Sequence, residues 1–257
     1  MKTKLKASVL GLARRTQRLV PVPPGHGVVL CYHLVGAETG SEVDLAWDPF
    51  RRHLDWLVAH TDVVPLAEVL RPGPRARSAL TFDDAFRNFR ERAWPELRAR
   101  GLPATLFVPT GFVDGEIGSP LSGVDRPACS WSELREMQAE GLAIGSHTHR
   151  HPNLRRLPRE RVERELATAQ ERLRDELGTA ADDFCYPQAK HSRSLAGAVG
   201  RHHARAVVGS GRHVRQGTEP LAIPRIPVRA HQHDVAPLFR RGLWLEEWVA
   251  DTARQYR

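Results

Sequence analysis

The chain has 257 residues, 41% of them hydrophobic, so it can bury a sizeable core and falls in the size range of one α/β barrel domain. Its formal net charge of +8 and isoelectric point near 10.1 would by themselves suit nucleic acid. The arginines, however, are interleaved with glutamates along helical segments and no nucleic-acid-binding motif is present, so we do not expect a nucleic-acid partner. The same charge would suit an anionic or phosphate-bearing glycan, or an anionic membrane leaflet.

Residues 1–26 read as a basic leader. Their apolar run of about six residues is shorter than the ~7–15 of a signal sequence, and no other stretch of the sequence could span a bilayer. We therefore expect a cytoplasmic protein whose leader makes peripheral membrane contact, followed by a single domain over residues 27–257.

Strand-like and helix-like segments alternate after the leader. This alternation predicts a parallel sheet covered by helices. Ser130 and Glu133 form a capping box that predicts a helix running to Glu140, and residues 112–129 read as a long loop for substrate contact. The expected strands are 28–32, 79–82, 104–108, 143–146, 184–186 and 206–208, and the other expected helices are 49–59, 86–100 and 157–177.

Two adjacent acids, Asp83 and Asp84, stand where the strand 79–82 gives way to a helical pattern. Adjacent side chains in an extended turn point in different directions, so one carboxylate can bind a metal while its neighbour acts as a base. Taken alone, an Asp-Asp pair at a strand end is more commonly a turn former or helix cap.

Three alternating histidines, His147, His149 and His151, follow the strand 143–146. The alternation predicts that they share one side of an extended segment, and Pro152 favours an extended His151. One Asp and two His meet the ligand count of a catalytic zinc-type site, which leaves a position for water. A surface histidine cluster is the alternative, since the chain has 13 histidines.

The combination of TFDD, ending at Asp84, with His147-Thr148-x-x-His151-Pro152 resembles the polysaccharide deacetylase family, the NodB-homology or carbohydrate esterase group. Further segments resemble its other motifs in the family order; they are 28–33, 102–108, 184–187 and 223–228. The resemblance implies a distorted (β/α) barrel of about seven parallel strands with the active site at the strand C-termini. It also implies a metal-dependent hydrolase that removes the N-acetyl group from an amino sugar of a glycan, glycolipid or sugar conjugate.

Carried over by position, the resemblance implies Asp83 as the general base. It implies Asp84, His147 and His151 as ligands of a divalent metal ion, zinc being the first expectation. The backbone N–H of Tyr186 would hold the oxyanion of the tetrahedral intermediate.

The general acid of the family has no clear counterpart in the sequence. His231 and His233 lie near the expected place and are the candidates, since a histidine suits proton donation near neutral pH. The alternative is that both are solvated loop histidines.

Two glycines of the family pattern are replaced by Ala85 and Ala189. If these positions have positive φ, each alanine is strained by about 1 kcal/mol. Such changes would be compatible with a carbohydrate-binding protein that has lost catalysis. A basic membrane-surface or nucleic-acid-binding protein is the other alternative.

The three cysteines, Cys31, Cys129 and Cys185, are odd in number and form no CxxC pair. They predict neither a disulfide framework nor a cysteine zinc site. We expect them to be buried as small apolar side chains.

Overall fold

The computed structural model describes residues 27–239. The expected leader 1–26, and residues 240–257 of the expected domain, lie outside the described residues. Within residues 27–239, no helix has the length and apolar character needed to cross a membrane.

Seven parallel strands close into a barrel, which confirms the expected fold class. The barrel strands are β1 (Gly27–Tyr32), β5 (Arg77–Phe82), β6 (Ala104–Val108), β7 (Ala143–Ser146), β8 (Asp183–Cys185), β9 (Arg205–Gly209) and β10 (Ile223–Pro227). They pair in the order β1-β5-β6-β7-β8-β9-β10, and β10 returns to β1, where Leu30 aligns with both Leu80 and Ile226. A short strand, β4 (Asp62–Val63), pairs with β5 as well.

Helices cover the outside of the barrel, as the alternating pattern predicted. Two further short strands, β2 (Leu34–Val35) and β3 (Asp44–Leu45), pair in parallel beside the end of β1. The helices are α1 (Trp47–His60), α2 (Trp94–Ala99), α3 (Thr110–Val113), α4 (Trp131–Ala139), α5 (Arg159–Leu177) and α6 (Arg193–Val199).

The expected capping box at the start of α4 is present. The Ser130 hydroxyl accepts the Glu133 backbone N–H at 3.2 Å, and the Glu133 carboxylate accepts the Ser130 N–H at 2.8 Å. These bonds satisfy two donors that the first helical turn would leave free. Gly178, in the left-handed conformation with φ 74°, ends α5 directly after Leu177.

The expected helix over residues 86–100 is irregular. Its first part, Phe89–Ala93, is a π-helical turn, and regular α2 begins only at Trp94. Pro95 lies in the first turn of α2, where its missing N–H costs no helical hydrogen bond.

An aromatic cluster fixes the ends of β1 and β5 beneath the strand-end loops. Tyr32 stacks on Phe82 with ring centroids 5.2 Å apart and meets Phe50 of α1 edge-on at 5.5 Å. All three side chains are fully buried. Because β5 ends at Phe82, this packing determines where Asp83 and Asp84 emerge.

Candidate metal centre and catalytic site

Asp84 projects from a strained turn at the end of β5. Asp84 has φ 73° and Ala85 has φ 52°, both in the left-handed region that disfavours residues with a Cβ. The Asp83 backbone N–H donates to the Tyr32 carbonyl at 2.9 Å, which anchors the turn to β1. Strained backbone held by well-packed surroundings is typical of functional sites.

The loop after β7 brings His147 and His151 to Asp84. The two Nε2 atoms lie 3.2 Å apart, and each lies 3.7 Å from Asp84 Oδ1. Three ligands about 2.1 Å from one tetrahedral ion would lie about 3.4 Å from each other. The observed separations are therefore compatible with one ion held by the three candidate ligands Asp84, His147 and His151.

Two further observations fit a metal at this cluster. Both carboxylate oxygens of Asp84 are buried without a hydrogen-bond partner among the described residues, a costly arrangement unless a cation satisfies them. His147 Nδ1 lies 2.8 Å from the Cys185 carbonyl, which can only accept, so Nδ1 carries the hydrogen and Nε2 has a free lone pair.

The protein environment keeps both imidazoles neutral. Burial lowers the pKa of His147 to about 4, and burial together with the neighbouring His147 lowers the pKa of His151 to about 3. Neutral imidazole is the form that binds a metal. Burial, then the nearby charge of Asp83, raises the pKa of Asp84 well above its usual value, and a cation would oppose that shift.

Backbone conformation corrects one expectation about this loop. Thr148 has φ 65° and His151 has φ 53°, so the segment is not extended and Pro152 does not keep His151 extended. His149 points away from the other two imidazoles and lies 2.9 Å from Thr110 Oγ1 and 3.2 Å from Glu116. The two left-handed residues turn His147 and His151 toward each other, which strict alternation would not predict.

Asp83 faces a different set of groups and is paired with a buried arginine. Arg225 Nη1 donates to Oδ1 at 2.6 Å and Nη2 donates to Oδ2 at 2.7 Å, and both side chains are buried. Burial alone would raise the pKa of Asp83, but the charge and hydrogen bonds of Arg225 lower it well below its usual range. Asp83 is therefore ionised at neutral pH, with both of its oxygens held by Arg225.

Sequence reasoning assigned no role to Arg225. The sequence did contain an indication of its role, an arginine inside the apolar strand β10. A charged side chain in a core strand is almost always paired with an opposite charge, so this pattern predicts a buried acidic partner. The Arg225 guanidinium also lies 5.4 Å from the centre of the Phe107 ring, and Nη1 donates to Thr81 Oγ1 at 3.1 Å. These contacts hold the guanidinium in the plane that suits Asp83.

All three cysteines are buried and free, in agreement with the sequence expectation. Two of them also contact the candidate base, since the Cys31 and Cys185 thiols donate to Asp83 Oδ2 at 3.4 and 3.5 Å. Burial raises the pKa of both thiols well above the usual value, so they are protonated donors.

His33, directly after β1, is a second residue that the sequence analysis left without a role. Its Nε2 lies 3.9 Å from Asp83 Oδ2, and its Nδ1 is buried without a hydrogen-bond partner within residues 27–239. Burial lowers the pKa of His33 to about 4, although the Asp83 charge acts in the opposite direction.

The candidate acids His231 and His233 both have exposed side chains, and neither imidazole forms a hydrogen bond within the described part of the chain. Between them, the Gln232 carbonyl lies 2.9 Å from His53 Nε2 and holds the loop against α1. Their role as acid stays a prediction. The His33 and His147 imidazoles both lie near Asp83, and of these two His33 is outside the candidate ligand set of Asp84, His147 and His151.

The Tyr186 backbone N–H donates to the Val207 carbonyl at 3.2 Å, as part of the pairing between β8 and β9. Its hydroxyl donates to the Leu221 carbonyl at 3.0 Å. The oxyanion role expected for the Tyr186 N–H stays a prediction, and it would require this N–H to be shared or released.

The fold and this cluster define a class: a parallel barrel with two histidines, a carboxylate and a separate arginine-paired carboxylate at its strand C-termini. Comparison with known proteins agrees, because the family model described as polysaccharide deacetylase matches residues 71–207, just over half of the chain. The chain belongs to the polysaccharide deacetylase family.

Individual relatives are distant. The deacetylase PplD of Streptococcus pyogenes, solved in complex with acetate, is 19% identical with a TM-score of 0.71, covering 84% of this chain and 96% of that one. IcaB from Ammonifex degensii is 25% identical with a TM-score of 0.69, covering 82% and 94%. YxkH of Bacillus subtilis (strain 168), named for the same family, is 22% identical over 172 residues, which are 64% of this chain and 57% of YxkH. The match thus spans little more than half of YxkH.

Proposed function

We propose that this protein is a metal-dependent N-deacetylase that hydrolyses the acetamido group of an amino sugar in a glycan, glycolipid or sugar conjugate. The observation that carries the proposal is the convergence of Asp84, His147 and His151 beside an ionised Asp83. This arrangement offers three metal ligands and a separate proton acceptor, which are the groups that metal-assisted amide hydrolysis uses.

Asp84, His147 and His151 would hold the ion, and zinc suits a set of two imidazole nitrogens and one carboxylate oxygen. A bound divalent ion would supply Lewis acidity toward the amide carbonyl and lower the pKa of water. The Cys185 carbonyl orients His147, and Thr148 Oγ1 accepts the His151 backbone N–H at 3.0 Å, so both imidazoles are held in place.

Asp83 would remove a proton from the attacking water. The paired Arg225 keeps the carboxylate ionised and fixes its plane, so the accepting oxygen needs no reorganisation during the reaction. The Cys31 and Cys185 thiols restrict Oδ2 further.

The amine leaves with a proton, and we propose His33 as the group that delivers it. His33 Nε2 lies 3.9 Å from Asp83 Oδ2, so the proton that Asp83 takes from water has a short path to this imidazole. The expected alternatives, His231 and His233, are exposed. The reaction consumes one water and releases acetate and a free amine.

The replaced glycines argue against a binding-only protein. Ala85 has φ 52° and Ala189 has φ 55°, so both alanines have the backbone conformation that glycine would favour. Ala85 is also fully buried beside Asp84. Since Asp84 still meets both histidines, the substitution of Ala85 leaves the ligand cluster intact.

The test of this function is acetate release from a panel of N-acetylated glycans and sugar-lipid precursors, with the metal-free protein reconstituted with several divalent ions. We expect acetate from at least one substrate, with activity lost in the Asp83→Asn variant. If no acetate is released with any ion, the protein is not an N-deacetylase of these substrates. Retained binding of the same glycans would then favour the carbohydrate-binding alternative.

The charge of residues 1–26 supports peripheral membrane contact. This leader contains six Lys and Arg and no acidic residue, whereas residues 27–239 have 28 basic and 27 acidic residues. Each basic residue near an anionic leaflet contributes about 1 kcal/mol. Sedimentation with vesicles containing phosphatidylglycerol tests the contact, which the change of Lys2, Lys4 and Lys6 to Glu should abolish; undiminished binding would exclude it.

A further inference from the structure

Two neighbouring loops at the active end of the barrel carry basic side chains. Lys190 and His191 follow β8, and Arg155 lies in the loop after β7. We call Arg155, Lys190 and His191 the cationic rim.

The two loops pack against each other. Leu154, next to Arg155, shares a buried apolar cluster with Tyr186. The His191 ring meets the Tyr186 ring edge-on, with centroids 5.2 Å apart. Burial, and then the positive charge of Arg155, lowers the pKa of His191, which places the guanidinium within electrostatic range of that imidazole.

The cations of the rim differ from their neighbours because they have no acidic partner within residues 27–239. Arg150 pairs with Glu116 at 2.5 Å, and Arg205 pairs with Asp183 at 2.6 Å. Arg155 is exposed and Lys190 is partly exposed, and neither forms an ion pair in the described part of the chain. Uncompensated like charges in adjacent loops create a local positive potential that attracts anions.

The rim adjoins the candidate metal ligands. Arg155 follows His151 by four residues, and the chain leading to Lys190 contacts His147 through the 2.8 Å bond between His147 Nδ1 and the Cys185 carbonyl. Both loops leave the C-terminal ends of paired strands, β7 and β8. A sugar chain that places one residue at the metal ligands would therefore pass close to the rim.

We propose that the cationic rim binds an anionic group of the acetylated glycan, a phosphate or a carboxylate, and so selects acidic over neutral substrates. The inference rests on the proposed deacetylase function and names its substrate class. The Arg155 guanidinium can donate two parallel hydrogen bonds to an oxyanion, while the Lys190 ammonium acts as a point charge. The rim residues touch the anionic group rather than the reacting amide, so they affect specificity.

Binding is measured by titration calorimetry with three probes at low salt. The neutral probe is tetra-N-acetylchitotetraose; the acidic probes are an N-acetylglucosamine oligosaccharide with a phosphate monoester and a hyaluronan tetrasaccharide, which carries carboxylates. We expect at least one acidic probe to bind about tenfold more tightly than the neutral probe, the combined effect of two exposed charge contacts. The acidic probe that binds more tightly shows whether the rim prefers a phosphate or a carboxylate.

The Arg155→Gln/Lys190→Gln double variant should lose this preference, whereas Arg92→Gln, which removes an exposed charge from the outer helical layer, should retain it. The proposal is overturned if the wild type binds neutral and acidic probes equally. It is also overturned if Arg92→Gln reduces the preference as much as the double variant does.

The kinetics of acetate release show whether the rim proposal or the proposed deacetylase function is wrong. In the double variant, KM for the acidic substrate should rise about tenfold while kcat and the neutral substrate's kcat/KM stay unchanged. Equal kcat/KM for neutral and acidic glycans in the wild type would overturn the rim proposal and leave the deacetylase function standing. Selective acidic binding without acetate release would support the rim and contradict the function.

Discussion

Arg225 clamps Asp83 through two short charge-assisted hydrogen bonds, at 2.6 and 2.7 Å, while both side chains are buried. Asp84, the next residue, has neither oxygen satisfied among residues 27–239. Two adjacent carboxylates thus have opposite environments, which separates a proton acceptor from a metal ligand.

Changing Asp83 to Asn should lower acetate release at least about 100-fold, because it removes the positioned base. The same variant should keep its metal, since Asp83 is not one of the three candidate ligands Asp84, His147 and His151, although its carboxylate lies within 4.8 Å of His147. Kinetics together with metal analysis after dialysis measure both effects. Loss of metal in this variant would mean that the roles of Asp83 and Asp84 are exchanged.

Changing Arg225 to Met should destabilise the protein by about 3–5 kcal/mol, because the buried Asp83 charge loses its partner. The matched control is Arg229→Met, which breaks the 3.0 Å ion pair of an arginine with the exposed Glu42 and should cost at most about 1 kcal/mol. Urea unfolding measures the loss of unfolding free energy in both variants. Equal losses in the two variants would show that the Asp83–Arg225 pair does not stabilise the fold specifically.

Changing His151 to Ala should weaken metal binding at least about 100-fold, because even outer-shell partners of a metal typically contribute 10–100-fold. The control is His231→Ala, which changes an exposed histidine and should retain the metal. Metal content after dialysis against a weak chelator is the measurement. Full occupancy in the His151→Ala variant would remove this residue from the ligand set.

The proton donor is tested by two variants. His33→Asn should reduce kcat at least about 100-fold, whereas the His231→Ala/His233→Ala double variant should stay near the wild-type rate. Rates are compared at saturating substrate, with metal content checked in each variant. The reverse result would restore the exposed pair as the source of the proton and assign His33 to packing alone.

His203 should make stability depend on pH at a place remote from the metal ligands. Burial lowers its pKa to about 4, and its Nε2 is buried without a partner in the described chain. The unfolded chain binds a proton near pH 6.5 and the folded protein does not, so stability rises with pH between about 4 and 6.5. Between pH 5 and pH 8, the titration of His203 changes the free energy of unfolding by about 2 kcal/mol.

In His203→Phe, the loss of unfolding free energy from pH 8 to pH 5 should shrink by about that amount. Phe184→Leu is the control, because Phe184 packs 4.9 Å from the His203 ring and does not titrate. That variant should lose the same stability at both pH values. An unchanged pH dependence in His203→Phe would refute the assignment.

Ala189 has φ 55° and an exposed side chain, so its strain can be relieved without emptying a cavity. Ala189→Gly removes a left-handed penalty of about 1–2 kcal/mol, offset in part by the larger freedom of glycine in the unfolded chain. We therefore expect a small net increase in the free energy of unfolding for Ala189→Gly. Ala139→Gly, in the exposed face of α4, should instead lose about 1 kcal/mol. Thermal unfolding compares them, and equal losses would mean that Ala189 is not strained.

Local sequence patterns predicted the barrel strands and the capping box at Ser130, whereas the resemblance to the deacetylase family implied Asp84, His147 and His151 as the candidate ligands. Strand periodicity and turn chemistry act within a few residues, so they can be read directly from the chain. The left-handed backbone at Thr148 and His151 was not predicted, because packing against α3 and β8 overrides the local preference for an extended segment.

Only the tertiary structure decided what surrounds Asp83. Arg225 lies 142 residues away along the chain, and Cys185 lies 102 residues away, yet both contact the same carboxylate. Closing the barrel places β10 beside β1 and β8 within reach of β5, and no local pattern encodes those distances. The same closure puts His33 next to Asp83 and leaves His231 and His233 exposed, because the environment of an ionisable group depends on which strands become neighbours.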